Sequence, residues 1–270
     1  MGRTDYVHGY DAAAAERLAD QAAALERLLH DGTRYPAGSK VLEAGCGVGA
    51  QTVPLARNSP EARFLSVDIE PASVEQAAAR VRQRGLGNVE LAVGDVGDLG
   101  FEPEAFDHLF VCFLLEHLPD PLGVLRKLLP LVRRGGTVTV VEGDHGSVLM
   151  FPHSDDAMKA VGCQTALQAA AGGNACIGRQ LYPLMKEAGC ADVAVSPRLV
   201  HVDGSRRDLA EAFTRRTFAA MIEAVRAPAL AARLIDASAF DRGITGLRRA
   251  AEPDGVFCYT FFKATARRAG

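Results

Sequence analysis

Short apolar runs alternate with helix-like segments along residues 40–144. Five runs have the length and apolar content of buried strands: "KVLEAG", "ARFLSVDIE", "VELAVGD", "FDHLFVCFLL" and "TVTVVEGD". The segments "AQTVPLARN", 72–84 and "PLGVLRKLLPLV" predict helices between them, and Arg134, Gly135 and Gly136 predict a turn before the fifth strand. This alternation predicts parallel βαβ units, with right-handed crossovers and helices on both faces of one sheet.

The pattern changes on either side of this region. Leucine and alanine recur at helical spacing over residues 11–30, and further helices are predicted at 154–171 and in "GRQLYPLMKEAG". A sixth strand is predicted in "ADVAVSPRLVHVD" and a seventh in "GVFCYTFFKATAR", with a helical insertion over 206–250 between them. The chain therefore reads as one sheet-based α/β domain, 1–270, with helical cap elements at 146–175 and 205–250.

Composition narrows the class of protein. The 270 residues are 48% hydrophobic and 23% charged, which is ordinary for a soluble globular protein. A net charge of -3 and a pI near 6.2 give no electrostatic basis for a nucleic-acid or membrane partner. The six cysteines include no C-x-x-C pair, so we expect reduced thiols in a cytoplasmic protein and no metal site. No apolar stretch of signal-peptide or membrane-span length is present.

A glycine-rich loop follows the first predicted strand. In "VLEAGCGVGAQT", Gly45, Gly47 and Ala50 satisfy the loose dinucleotide fingerprint G-x-G-x-x-G/A. That match is weak by itself, and no Gly-Lys-Ser/Thr follows, as an ATPase phosphate loop would require. The loop predicts close approach of the backbone to a ligand but leaves the ligand open.

Three acidic residues at strand ends favour one ligand. Glu43 precedes the first glycine, where it would repel a pyrophosphate and attract an ammonium group. Asp68 ends the second strand, as expected for a carboxylate that binds both ribose hydroxyls. Asp95 ends the third strand, where it can accept a hydrogen bond from an adenine amino group. A ligand with ribose, adenine and a cationic amino-acid tail fits all three, and S-adenosylmethionine is such a ligand.

The order of several motifs adds a family resemblance. The chain resembles class I S-adenosylmethionine-dependent methyltransferases of the small-molecule type through "LEAGCGVG", "VDIE", "GDV", "LLEHLPDP" and "RRGGTVTVVE". The resemblance implies a Rossmann-like, mostly parallel sheet of seven strands whose last strand is antiparallel. It also implies contacts of the cofactor with these residues: Glu43, Gly45, Gly47 and Gly49 at the methionine part, Asp68 and Ile69 at the ribose and adenine face, Asp95 and Val96 at the adenine edge, and Cys112 and Phe113 near the sulfonium.

The N-terminal segment "YVHGY" resembles a lid found in a subset of these enzymes. The resemblance implies a helical lid over residues 1–35, in which Tyr6 and Tyr10 close over the cofactor. The alternative that both tyrosines pack the first helix against the sheet stays open. Together with "VLEAGCGVGAQT", this segment also resembles bacterial indole C-methyltransferases. That likeness suggests C-methylation of an indole or another aromatic ring as a finer hypothesis.

The candidate catalytic residues lie in "EGDHG", after the fifth strand. Ligands of open α/β sheets bind at the carboxyl ends of the strands, and this segment offers Glu142, Asp144 and His145. A histidine can change charge near neutral pH and take a proton from the methyl acceptor, and an acid beside it can orient the ring. Glu142 could instead be structural, and His145 could contact only the loop backbone. His117, in "LEHL", is expected to have a structural or cofactor-side role.

These observations predict an enzyme that transfers the methyl group of S-adenosylmethionine to a small organic acceptor, as in natural-product biosynthesis, and releases S-adenosylhomocysteine. A nicotinamide-dependent oxidoreductase and a non-catalytic, regulatory member of the fold are the alternatives. The sequence leaves open the acceptor atom and the oligomeric state, for which a homodimer is one hypothesis.

Overall fold

The computed structural model describes residues 25–270, which form two compact units. The first unit contains Glu26–Glu142, Ile177–Pro197 and Phe262–Gly270, and the described part of the second contains Leu25, Gly143–Cys176 and Arg198–Phe261. Both predicted cap ranges, 146–175 and 205–250, fall in the second unit. The assignment of residues 1–270 to a single domain, with caps over a substrate, stays a prediction.

A mixed sheet of seven strands underlies the fold, as the sequence predicts. Its order is β3-β2-β1-β4-β5-β7-β6, and the pairs β1–β2, β2–β3, β1–β4 and β4–β5 are parallel, whereas the C-terminal strands run antiparallel. The strands are β1 (Lys40–Ala44), β2 (Arg63–Asp68), β3 (Val89–Val93), β4 (Phe106–Cys112), β5 (Val132–Phe151), β6 (Cys190–Val202) and β7 (Val256–Arg268).

Helices follow the strands at the predicted places. In chain order they are α1 (Thr52–Asn58), α2 (Pro71–Gln83), α3 (Pro121–Leu128), α4 (Asp155–Ala170), α5 (Leu181–Glu187), α6 (Arg207–Leu209), α7 (Ala220–Ala224), α8 (Arg226–Ala231) and α9 (Ala237–Arg249). Of the predicted helix at 11–30, the described residues 25–30 are helical. Every helix within residues 25–270 is too short or too polar to cross a lipid bilayer.

Local sequence explains where α3 begins. Asp120 is its N-cap, and the Asp120 carboxylate accepts a hydrogen bond from the backbone N–H of Gly123 at 2.8 Å. Pro121 occupies the first helical position, where its fixed φ suits the helix and its missing N–H costs nothing. Leu125 and Leu128 then face the core of the first unit, in which Leu42, Leu109 and Val138 are also fully buried. Burial of this apolar face stabilises the helix.

The predicted turn at Arg134, Gly135 and Gly136 is wrong, because these residues lie within β5. They form an irregularity in the strand: Phe106 pairs with Val132, but the next pair recorded is His108 with Thr137. Gly135 has a φ of 70°, and a side chain on Gly136 would collide with the carbonyl oxygen of Asp107. The two glycines therefore bend the strand without ending it.

Helix contacts and an aromatic cluster organise the second unit. Helices α4 and α9 pack closely, since a Cβ atom on Gly243 would lie 3.0 Å from the Cβ of Ala160. The run from Ala210 to Ala219 between α6 and α7 is a π-helix, a rare form that often marks functional sites. The cluster, which we call the aromatic core, consists of the buried side chains of Phe213, Phe218, Phe257, Tyr259 and Phe261.

A buried lysine anchors the end of the first described helix. Lys263 of β7 is 3% exposed, and its Nζ donates to the carbonyl oxygens of Leu29 at 3.2 Å and Asp31 at 2.7 Å. It also donates to the hydroxyl of Thr33. A cation at a helix C-terminus satisfies carbonyls that have no partner in the helix and is favoured by the helix dipole.

We expect Lys263→Met to lower the free energy of unfolding by about 2 kcal/mol, because the substitution keeps the aliphatic bulk but leaves buried carbonyls unpaired. Urea unfolding of the full chain measures the change. Lys186→Met, which removes an exposed lysine from α5, is the matched control and should leave the midpoint unchanged. Equal midpoints for the two variants would contradict the assigned role of Lys263.

Candidate functional site

The three glycines of the loop between β1 and α1 have different surroundings. Gly45, Gly47 and Gly49 have φ angles of 79°, 51° and 78°, which favour glycine. A Cβ on Gly45 would lie 2.9 Å from Leu114 Cδ1, and one on Gly49 would lie 2.9 Å from the Cβ of Ala77. A Cβ on Gly47 would meet nothing within 4 Å. Packing inside the protein therefore requires Gly45 and Gly49, whereas Gly47 leaves open space next to the loop backbone.

Asp68 ties this loop to the end of β2. Its Oδ2 accepts from the Gly47 N–H at 2.7 Å, and its Oδ1 accepts from the Glu70 N–H at 3.0 Å. The side chain of Ile69 next to it is 61% exposed, an unusual position for a large apolar group. A carboxylate and an apolar face thus lie side by side at the edge of the sheet where a ligand is expected.

Asp95 and Val96 follow β3, the neighbour of β2. Because β2 and β3 are parallel, Asp95 lies at the same edge of the sheet as Asp68. Asp95 is exposed, and its Oδ1 accepts from the Gly97 N–H at 2.7 Å, whereas Val96 is 8% exposed. This arrangement suits the predicted contacts with an adenine, which remain a prediction.

Glu43 is buried, which the sequence did not indicate. It is 2% exposed, and its Oε2 accepts from the hydroxyls of Thr52 at 2.7 Å and Ser66 at 2.6 Å. Burial raises its pKa to about 7, although both hydroxyl donors favour the ionised form. Glu43 therefore supports the start of the loop through two side chains, and its attraction for an ammonium group remains a prediction.

The chain after β4 is unusually constrained. Cys112 is buried, and Phe113 has a φ of 54°, a costly conformation for a bulky residue. The N–H of Phe113 donates to Val141 O at 2.9 Å, and the N–H groups of Leu114 and Leu115 donate to Glu142 Oε1 at 3.1 and 2.8 Å. Glu142, a candidate catalytic acid, thus holds this loop in place.

Asp144 and His145 lie in the second unit and are both buried. Nδ1 of His145 lies 3.2 Å from Ala175 O and 3.1 Å from the hydroxyl of Tyr259, and Nε2 is buried without a hydrogen-bond partner among the described residues. Because a carbonyl can only accept, the Ala175 contact favours a proton on Nδ1 and a lone pair on Nε2. Burial lowers the pKa of His145 to about 4, so the ring is neutral at pH 7.

Two groups outside the predicted catalytic segment contact His145, and the role of Asp144 in orienting the ring stays a prediction. The carboxylate of Asp144 accepts from the Gly146 N–H at 3.0 Å, while Tyr259 and Ala175 contact the imidazole. A Cβ on Gly143 would collide with the Tyr259 hydroxyl, so that glycine makes room for it. Tyr259 was missed because it is 114 residues away in sequence, and the aromatic alternation of "VFCYTFF" was its only signal.

The remaining candidates are placed as follows. Tyr6 and Tyr10, with the rest of the proposed lid up to residue 24, lie outside the described residues. His117 lies in a 3-10 turn after β4, with Nε2 3.6 Å from Glu116 Oε1. Within residues 25–270, no three His, Cys, Asp or Glu side chains are grouped as a metal ion would require.

Comparisons with known proteins agree with this fold. A family model described as "Methyltransferase domain" matches residues 36–189, more than half of the chain. Aklanonic acid methyltransferase DauC of Streptomyces sp. (strain C5) is 32% identical over 113 residues, which are 42% of this chain and 51% of that protein. The chain thus spans about half the length of the curated relatives it matches.

Two solved structures are similar in fold. The [4+2]-cyclase SpnF has a TM-score of 0.55 at 21% identity, covering 95% of this chain and 82% of the other. A phosphoethanolamine N-methyltransferase 2 of Haemonchus contortus, solved with phosphomonomethylethanolamine and S-adenosylhomocysteine, has a TM-score of 0.57 at 18% identity. It covers 93% of this chain and 53% of the other. At these identities the likeness concerns the fold alone.

We expect Gly45→Ala to destabilise the protein more than Gly47→Ala. Both substitutions force alanine into a left-handed conformation, which costs about 1 to 2 kcal/mol. Only the Gly45 variant also presses a methyl group into Leu114, at a further cost of about 1 to 3 kcal/mol. Chemical denaturation of both variants checks the order, and equal loss of stability would contradict the packing role of Gly45.

Proposed function

The chain belongs to the S-adenosylmethionine-dependent methyltransferase family, and on that premise we propose that it transfers the methyl group of this cofactor to a small organic acceptor. The observation that carries the proposal is the open space beside Gly47, at the edge of the sheet where Asp68, Ile69 and Asp95 also lie. The family match argues against the nicotinamide-dependent oxidoreductase considered from the sequence.

The residues present fit the cofactor. The carboxylate of Asp68 can accept hydrogen bonds from the ribose hydroxyls, and the exposed face of Ile69 can cover the adenine ring. Asp95 can accept from the adenine amino group, and Gly47 lets the backbone approach the amino-acid part. When bound, the cofactor supplies an electrophilic methyl group on a positively charged sulfur.

His145 is the proposed proton acceptor. Its fixed Nδ1 and the lone pair on its unpaired Nε2 suit a group that takes a proton from the methyl acceptor as the new bond forms, whereas the burial that lowers its pKa to about 4 opposes the imidazolium. Protonation of Nε2 would convert the imidazole to an imidazolium. Its Nδ1–H would keep its contact with Ala175 O. Asp144 supports the strand beside it through its bond to Gly146. Glu142 belongs to the first unit, where it accepts hydrogen bonds from the loop after β4.

The acceptor class is a finer part of the proposal. DauC is named for aklanonic acid as its methyl acceptor, and this supports a small organic acid as an acceptor here. An indole, whose N–H becomes acidic once C3 has attacked the methyl group, or an aromatic ring with an acidic O–H would suit a neutral imidazole as base. Release of S-adenosylhomocysteine during incubation with a panel of indoles, phenols and aromatic acids tests this. Absence of cofactor binding would contradict the whole proposal.

The second candidate function is that of a non-catalytic, regulatory member of the fold, as considered from the sequence. A protein that binds the cofactor but uses it only as a structural part would share the cofactor residues proposed above. Consumption of the cofactor separates the two: methyl transfer yields one S-adenosylhomocysteine per product, whereas the second candidate function yields none.

We expect Asp68→Ala to weaken S-adenosylmethionine binding by about tenfold to a hundredfold, because it removes a charged hydrogen-bond acceptor. Isothermal titration calorimetry measures the dissociation constant. Asp68→Asn should weaken binding less, since the amide oxygen can still accept from Gly47. Asp192→Ala, in an exposed part of the same unit, is the control. Unchanged affinity in Asp68→Ala would remove Asp68 from the cofactor site.

We expect His145→Ala to leave cofactor binding unchanged and to lower the rate of methyl transfer by about 10²- to 10⁴-fold, the usual contribution of a general base. Single-turnover kinetics with an acceptor found in the panel measures the effect. His153→Ala, which removes an exposed histidine of the same unit, is the control. Equal rates for the parent and His145→Ala would exclude His145 from the proton transfer.

A further inference from the structure

A buried contact joins the first described helix to the glycine-rich loop. Nε2 of His30 lies 2.6 Å from Oε1 of Gln51, and the two side chains are 4% and 9% exposed. His30 is the last residue of the helix over residues 25–30. Gln51 directly precedes α1 and follows Gly47 by four positions. Both residues belong to the first unit, so the contact lies within one compact part of the chain.

Neighbouring groups restrict the ring of His30. It stacks on Phe110 of β4, with ring centroids 5.8 Å apart and ring planes inclined by 25°. The carbonyl oxygen of Leu29, one residue earlier, accepts from Nζ of the buried Lys263 at 3.2 Å. Phe110 pairs with Glu43 of β1, so the ring lies against the strand pair from which the loops of the candidate cofactor site lead.

The contact determines which nitrogen of His30 carries the proton. An amide oxygen can only accept, so Nε2 donates and carries the proton. Burial lowers the pKa of the ring, which therefore carries one proton at pH 7. Nδ1 then has only a lone pair, and it is buried without a hydrogen-bond partner within residues 25–270. An apolar ring would avoid this unfavourable burial, so the feature that distinguishes His30 from such a ring is its donation to Gln51.

The same contact determines how the amide of Gln51 is presented. Its oxygen is occupied by His30, and the oxygen and nitrogen of an amide point in different directions. The two N–H donors are therefore directed away from the ring and are left for another partner. The side chain of Gln51 makes no capping hydrogen bond to the described backbone of α1. The start of this helix thus does not depend on the amide.

The loop between Gly47 and Gln51 is compact. The N–H of Gly49 donates to Cys46 O at 2.9 Å, and Gly49 O accepts from the N–H of Val53 at 3.3 Å. These two turns keep Gln51 close to the open space beside Gly47, where a Cβ would meet nothing within 4 Å. The amino-acid part of the cofactor is proposed to lie in this space.

The amino-acid part of S-adenosylmethionine carries a carboxylate as well as an ammonium group. The side chains proposed above to contact the cofactor are Asp68 and Asp95, which accept hydrogen bonds, and Ile69, which is apolar. None of these three can donate a hydrogen bond to a carboxylate, and the two aspartates repel it. The amide of Gln51 offers two donors without a charge that would compete for the ammonium group.

We propose that Gln51 donates a hydrogen bond from its amide to the carboxylate of S-adenosylmethionine, and that His30 is the positioning residue that orients this amide. The inference rests on the proposed function, because it concerns the same cofactor site. His30 acts through Gln51 and does not itself contact the cofactor. The pair therefore affects ligands that have the amino-acid part and leaves recognition of the adenosine part to other residues.

Two ligands separate this role from a general structural one. S-adenosylhomocysteine has the amino-acid part, whereas methylthioadenosine has the same adenosine and sulfur but lacks the carboxylate and the ammonium group. Isothermal titration calorimetry of the full chain gives the dissociation constant of each. We expect Gln51→Met, which keeps the length of the side chain, to weaken binding of S-adenosylhomocysteine by about tenfold. The affinity for methylthioadenosine should stay unchanged.

His30→Phe tests the positioning role, because it keeps a ring for the stack on Phe110 but cannot donate to Gln51. We expect S-adenosylhomocysteine to bind about threefold to tenfold more weakly, again without a change for methylthioadenosine. In the double variant the second substitution should add little, since both act through one hydrogen-bonded pair. His30→Gln, whose amide nitrogen can donate to Gln51, should restore part of the affinity.

Asn88→Ala is the matched control, because it weakens the other end of α1. Nδ2 of Asn88 donates to the carbonyl oxygens of Ala56 at 3.2 Å and of Ser59 and Ala62 at 3.1 Å. We expect this variant to unfold at a lower urea concentration and to bind both ligands with the affinity of the parent. Circular dichroism verifies folding, and Gln51→Leu replaces Gln51→Met if that variant does not fold.

The possible outcomes are distinct. If neither ligand binds to the parent protein, the proposed function fails and the inference fails with it. If Gln51→Met weakens both ligands equally, or neither of them, the inference is overturned and the proposed function stands. If His30→Phe binds S-adenosylhomocysteine as tightly as the parent does, His30 is not a positioning residue.

Discussion

The parallel pairing of β1 with β4 is the constraint on which the candidate cofactor site depends. Glu43 pairs with Phe110 and Ala44 with Val111, so the chain leaves both strands at the same edge of the sheet. The loops that follow then meet where Leu114 lies against Gly45. Only a residue without a Cβ allows that approach, and this explains why a glycine-rich sequence must follow β1 here. The shape of the loop is thus constrained by the neighbouring loop after β4.

An acidic side chain also stabilises each loop by accepting hydrogen bonds from its backbone. Asp68 accepts from Gly47 in the first loop, and Glu142 accepts from Leu114 and Leu115 in the second. These hydrogen bonds fix backbone that has no partner in a helix or strand. The strained φ of Phe113 persists because Val141 and Glu142 hold the residues around it. Acidic residues at strand ends therefore support the loops, in addition to the ligand binding proposed for Asp68.

The sequence predicted the elements well, because their signals are local. Apolar runs marked the strands, and Asp120 with Pro121 marked the start of α3. The prediction of a turn at Gly135 was wrong, because a pair of glycines has the same local sequence signature in a bulge as in a turn.

Site residues were harder to interpret, because their roles depend on distant partners. Glu43 was expected to face a ligand but is buried behind Thr52 and Ser66, which no local pattern reveals. The contact of His145 with Tyr259 likewise joins residues 114 positions apart. Residue types at strand ends predict where a site lies, whereas their hydrogen-bond partners decide what each residue does there.

A crystal structure of the protein with S-adenosylhomocysteine would locate the cofactor site experimentally. We expect the ribose hydroxyls within hydrogen-bond distance of Asp68, the adenine ring against Ile69 with its amino group near Asp95, and the amino-acid part beside Gly47. A ligand bound elsewhere in the molecule, with Asp68 making no contact to it, would contradict the proposed cofactor site.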